Sequence, residues 1–109
     1  MKFKIILIII FLFSVSCAKE EKEISLIKEV DQEKEMVSTY REGYEALEKG
    51  DPYFAAKKFL EAEILYPQSL WAPKSALMAA YSYYLQNYYS ESIMTLDRYL
   101  ITYPTDLNI

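Results

Sequence analysis

The chain opens on an unbroken apolar run, Ile5 to Phe13, entered through Lys2 and Lys4 and left through Ser14, Val15 and Ser16. A basic start, a short apolar stretch and small residues after it are the three parts of a secretory signal. The run is too short to cross a bilayer, which takes about 20 residues. Residues 18–32 then alternate acidic and basic side chains without an aromatic, and read as a solvated tether. From residue 33 the pattern turns helical. Val37, Tyr40, Tyr44 and Leu47 recur at spacings of three and four until Gly50-Asp51-Pro52 breaks the run. Glycine suits a left-handed cap, aspartate the next N-cap and proline the first helical position, so a second helix should start at once. Its apolar stripe is Ala55, Phe59, Ala62 and Leu65, and it stops at Tyr66-Pro67, since proline bars the residue before it from helical geometry.

The cycle repeats. Residues 71–86 predict a third helix, with Pro73 in its first turn and an inward stripe of Leu77, Ala80, Tyr81, Tyr84 and Leu85. Asn87 interrupts. Residues 89–102 predict a fourth, with Ile93, Leu96, Tyr99 and Leu100 inward, ending at Tyr103-Pro104. The two Tyr-Pro steps are 37 residues apart, as are Tyr44 and Tyr81. A period in the thirties, each unit a helix–turn–helix closed by proline, marks a helical repeat array. The expected fold is all-α: two hairpins, 33–67 and 68–104, after a signal at 1–16 and a tether at 17–32.

Composition narrows the function. There is no histidine and one cysteine, so a His/Cys metal site, a Cys–His pair, a Ser–His–Asp triad and an internal disulfide are excluded. The net charge is −4, and −6 without the two leader lysines, which argues against nucleic-acid binding. Glu42, Glu45, Glu48, Glu61 and Glu63 lack a nucleophile or glycine-rich loop beside them and read as solvated faces. No catalytic residue is expected, and no cofactor.

Cys17, directly after small residues, resembles the lipobox of bacterial lipoproteins, although the leucine favoured three places earlier is here Ser14. That resemblance implies cleavage before Cys17 and covalent diacylglycerol and fatty acyl chains on it. With Ala18 next, it implies the outer membrane, facing the periplasm. The hairpins resemble tetratricopeptide repeats at Gly43, Gly50, Ala55, Phe59, Ala62 and Pro67, and at Tyr83, Leu96 and Pro104, with Ser92 and Tyr99 departing from the small residues of that pattern.

The stretch Ala80-Tyr81-Ser82-Tyr83-Tyr84, then Leu96-Asp97-Arg98-Tyr99-Leu100 and Tyr103-Pro104-Thr105, with the Glu48-Lys49-Gly50 turn, resembles the BamD family, lipoproteins of the bacterial β-barrel assembly complex. Gly50, Ala55, Phe59, Pro67, Tyr81, Tyr84, Asp97, Arg98 and Pro104 are then the structural positions of the family pattern. The resemblance implies a non-catalytic scaffold whose partners are unfolded outer-membrane proteins, the barrel-forming subunit BamA and other lipoprotein subunits. It also implies further repeats, so that the chain reads as part of a longer product; a short lipoprotein that dimerises is the other reading.

The 11 tyrosines fall between residues 40 and 103. Tyr40, Tyr44, Tyr83 and Tyr88 are the candidates for a groove that binds an extended peptide, since the ring buries area while the hydroxyl bonds a backbone; Tyr81, Tyr84 and Tyr99 are expected as core. Trp71 is expected over the junction between hairpins, with an anchor for a partner as its other reading. Arg98 either stands solvated or pairs with an acid across that junction. A different repeat lipoprotein, organising division, Tol-Pal or secretion complexes, is the competing function.

Overall fold

The computed structural model describes Met1, Lys4 and residues 18–106, with side chains from residue 27 onward. The leader and Cys17 lie outside the described residues. Four helices follow one another: α1, Ala18–Glu48; α2, Pro52–Leu65; α3, Trp71–Leu85; and α4, Tyr89–Thr102. Among the described residues there is no strand, and the helices pack as adjacent hairpins in a tetratricopeptide-like all-α fold. Residues 1–30 cluster as one unit and residues 31–109 as another, and the second contains both hairpins.

The first correction concerns residues 18–32, expected as a tether, which lie in α1. The stretch from Ala18 to Glu42 holds no glycine or proline and is rich in Lys and Glu, both good helix formers, so the backbone continues the helix upstream.

Both hairpin turns close the same way. At the end of α1 the Asp51 N–H donates to the Ala46 carbonyl at 2.8 Å and the Gly50 N–H to Leu47 at 3.0 Å, with Gly50 at φ +79°. At the end of α3 the Tyr88 N–H donates to Tyr83 and the Asn87 N–H to Tyr84, both at 3.0 Å, with Asn87 at φ 61°. These are paired Schellman caps 37 residues apart, and each needs a left-handed residue, supplied once by glycine and once by asparagine. The first turn is better made. Asp51 accepts from the Phe54 N–H at 3.0 Å and Pro52 opens α2, whereas Tyr88 gives α4 no side-chain cap.

Small side chains form the buried faces. On α1 these are Thr39, Gly43 and Ala46 beside Met36; on α2, Ala55, Ala56 and Ala62 beside Phe59. On α3 they are Ala72, Ser75, Ala76, Ala79, Ala80 and Ser82, and on α4 Ser92 and Thr95 beside Tyr99. Helices approach closely where side chains are short, and one large ring then fills the remaining gap. Phe59 is that ring: a Cβ added at Gly43 would stand 3.0 Å from it. The serine hydroxyls buried on these faces are satisfied. Ser92 donates across to the Ala80 carbonyl at 2.8 Å, and Ser75 and Ser82 donate to carbonyls one turn back.

The stripes read from periodicity were therefore a face off on two helices. Tyr81, Tyr84 and Leu85 on α3, and Ile93, Leu96 and Leu100 on α4, are exposed; Ala80 and Tyr99 are buried as expected. Hydrophobic size marked the wrong side because the contact face of each helix is built from alanine and serine.

Candidate functional site

Two turns of α1 place Val37, Tyr40, Arg41 and Tyr44 on one face, at spacings of three and four. Trp71, the first residue of α3, comes up against them, and the five enclose an open hollow of about 320 Å³. Tyr40 is its floor. Its ring meets Phe59 below and Trp71 beside it edge-on, each at a centroid distance of 5.1 Å and 63°. Burial first, and Tyr44 beside it second, hold the Tyr40 phenol above its ordinary value, so it stays a neutral donor at any physiological pH. Tyr44 stands exposed on the rim. Arg41 is exposed and forms no ion pair among the described residues. Lys74 lies over the Trp71 ring at 5.0 Å. The hollow thus offers aromatic faces, a phenol donor and two cations in a chain that is otherwise acidic, which suits an aromatic side chain beside a carboxylate or backbone carbonyl.

Behind it, two polar contacts fix the helices that carry these rings. Lys58 on α2 bridges to Glu42 of α1 at 2.9 Å and to Glu61 at 3.3 Å, and hydrogen bonding to Glu42 holds its ammonium above the ordinary range. Between the hairpins, Glu63 of α2 is 6% exposed and accepts from three donors. Arg98 of α4 donates two bonds to it at 2.6 and 2.8 Å, and the Tyr103 hydroxyl a third at 2.7 Å. The carboxylate bonds raise the Arg98 guanidinium; burial first, then the bond to Glu63, pushes the Tyr103 phenol well above its usual range. Of the two readings of Arg98, the paired one is what the structure shows. Glu63 is a correction, since it was grouped with solvated carboxylates. Asp97, the neighbour of Arg98, points to solvent.

Residues 32–109 match the model of the YfiO family, described as an outer membrane lipoprotein. The chain belongs to the YfiO family. Over 88 residues, 81% of its length, it is 34% identical to the outer membrane protein assembly factor BamD of Caulobacter vibrioides. The matched stretch spans 28% of that relative. No solved structure matches the chain significantly.

Within this YfiO-family chain the four groove candidates do not share one hollow. Tyr40 and Tyr44 are together. Tyr83 lines a separate hollow of about 240 Å³ with Glu91, Met94, Thr95 and Arg98, and Tyr88 is exposed at the turn before α4. Of the family-pattern positions, Gly50 makes the first turn, Ala55 and Phe59 lie in the core, and Pro67 and Pro104 follow the ends of α2 and α4. Tyr81 and Tyr84, expected as core, are exposed, and Tyr84 instead meets Tyr89 at 5.7 Å. Sequence reasoning missed Arg41 as a site residue and read Trp71 as a junction residue or a partner anchor, not as a wall against Tyr40. The available signal was spacing: Arg41 is four residues from Val37 and three from Tyr44, on the tyrosine face.

Proposed function

We propose that this chain is the client-receiving part of a lipid-anchored scaffold for β-barrel assembly in the outer membrane. The observation that carries the reading is the hollow of Tyr40, Tyr44 and Trp71 with Arg41 at its rim, in a family of outer membrane lipoproteins. Unfolded outer-membrane proteins present strands with alternating aromatic side chains, and one such ring fits the hollow while Arg41 and the phenols meet adjacent backbone or carboxylate oxygens. The work is binding and positioning; no bond is made or broken, and no cofactor is used. Acyl chains on Cys17 hold the scaffold at the periplasmic face of the membrane, since each buried methylene contributes about 0.8 kcal/mol. Partner subunits of the assembly complex, the barrel-forming BamA among them, complete the machine. The relative being an assembly factor favours this reading over a role in division, Tol-Pal or secretion complexes.

Trp71 is the sole tryptophan, so its fluorescence reports on the hollow directly. A peptide copying the last strand of an outer-membrane β-barrel should change that emission saturably. Tyr44→Ala should weaken binding roughly tenfold, the loss of about 1.4 kcal/mol expected for removing one packed ring. An unchanged emission at all peptide concentrations would sink the proposal.

A further inference from the structure

The tyrosines of the two Tyr-Pro steps, Tyr66 and Tyr103, end α2 and α4 in similar non-helical backbone, at φ −146°, ψ 79° and φ −125°, ψ 59°. One period apart in the sequence, they converge in space. Both pack against one buried trio, Met36 of α1, Ala62 of α2 and Ala72 of α3. Tyr40 and Trp71, the floor and wall of the hollow, pack against the same trio. Tyr103 thus reaches from the end of the second hairpin to the packing that supports the hollow, although it lines no part of that hollow itself.

We infer that Tyr103 is a positioning residue for the hollow: held by Glu63, its ring backs the trio on which Tyr40 and Trp71 pack, and so fixes the gap that a client ring enters. This rests on the reading of the hollow as client-receiving. Packing alone does not place the Tyr103 ring. It is half-buried and borders a second open hollow, of about 460 Å³, between α2 and α4. Its hydroxyl holds it inward by donating to Glu63 at 2.7 Å, and Glu63 is itself fixed by two bonds from Arg98 at 2.6 and 2.8 Å. The backbone end is fixed too, since the Tyr103 N–H donates to the Tyr99 carbonyl at 2.9 Å and Pro104 follows. The trio passes on any movement of the ring. Ala62 and Ala72 are fully buried and carry one methyl each, with no rotamer to absorb a displaced neighbour; Met36, the member with rotamers, is fully buried as well. Groups that bind keep their geometry where the residues behind them are locked in this way.

The test is Tyr103→Phe in the intact gene product, which removes the hydroxyl and keeps the ring. Ser92→Ala is the control: it removes the bond to the Ala80 carbonyl, between α3 and α4, and leaves Glu63 alone. The fluorine resonance of fluorotryptophan at position 71, assigned by Trp71→Phe, reports on the wall of the hollow. Tyr103→Phe should shift or broaden that resonance in the free protein. It should also weaken binding of the barrel-strand peptide about fivefold, the scale of one hydrogen bond to a carboxylate. Ser92→Ala should leave both at parent values even where urea shows it to be less stable. An unmoved resonance in Tyr103→Phe that is folded by dichroism overturns the inference. So does a shifted resonance with unchanged affinity, or a shift that Ser92→Ala matches, which makes the effect one of stability. If the parent itself binds no peptide, the client reading fails, and the resonance still decides whether Tyr103 positions Trp71.

Discussion

Replacing Arg98 with leucine leaves the Glu63 carboxylate buried with the Tyr103 hydroxyl as its remaining donor. Breaking a buried pair by deleting one partner costs about 3–5 kcal/mol. The Arg98 side chain is 44% exposed, so water screens its end of the pair, and the expected cost drops to about 2–3 kcal/mol. Glu63→Leu alone should cost less, about 1–2 kcal/mol, because the freed guanidinium can turn to solvent. The double variant should return to within about 1 kcal/mol of the parent, since an apolar replacement of a buried pair is often neutral. The sequence already makes that replacement once, with Leu100 at the position equivalent to Glu63. Urea unfolding followed by far-ultraviolet dichroism gives all three values and their coupling. A cost for Arg98→Leu below about 0.5 kcal/mol, the size of an ordinary surface pair, would refute the reasoning. A double variant as unstable as the sum of the singles would refute it equally.

Gly43→Ala drives a methyl to 3.0 Å from the Phe59 ring and should destabilise the chain by about 1–3 kcal/mol in the same unfolding assay. Asn87→Gly removes the left-handed penalty at φ 61° and should raise stability by up to about 1 kcal/mol, read as a higher urea midpoint. Tyr40, Tyr99 and Tyr103 are each held above the ordinary phenol value of 10.0, chiefly by burial, so the folded chain keeps protons that the unfolded one releases. That contribution is whole below about pH 10 and is lost as pH rises beyond it. Alkaline titration of tyrosinate absorbance should show a late class of phenols that ionise with unfolding, and Tyr103→Phe should flatten the loss of stability above that pH.

The punctuation of the fold was legible because it rests on backbone chemistry. Gly50-Asp51-Pro52 and Tyr66-Pro67 break helices wherever they occur, and the 37-residue spacing of the Tyr-Pro steps announced two copies of one unit. Asn87 was visible as an interruption, yet its role as the second left-handed cap emerges only beside Gly50. What periodicity could not decide was which face of α3 and α4 turns inward. Tyrosine and leucine signal burial by size, but here Ala76, Ala79, Ser92 and Thr95 take the contact and the larger residues stay outside. Residues 18–32 misled for a related reason: charge marks solvation, and a solvated segment of Lys and Glu is also a good helix. The site was half legible. Tyr40 and Tyr44 share a face that spacing alone predicts, whereas Trp71 reaches that face from the next hairpin, a tertiary fact. The Glu63 clamp was invisible from its own end, one glutamate among five, and visible only from Arg98.

The central claim is that the hollow at Tyr44 receives unfolded outer-membrane protein. Placing a photo-cross-linking residue at Tyr44 of the full-length protein in living cells, and identifying the adducts, tests it most directly. The account predicts adducts with newly exported β-barrel precursors that disappear when their synthesis stops. Adducts confined to division or secretion proteins, or none while a control at exposed Tyr53 still cross-links, would contradict it.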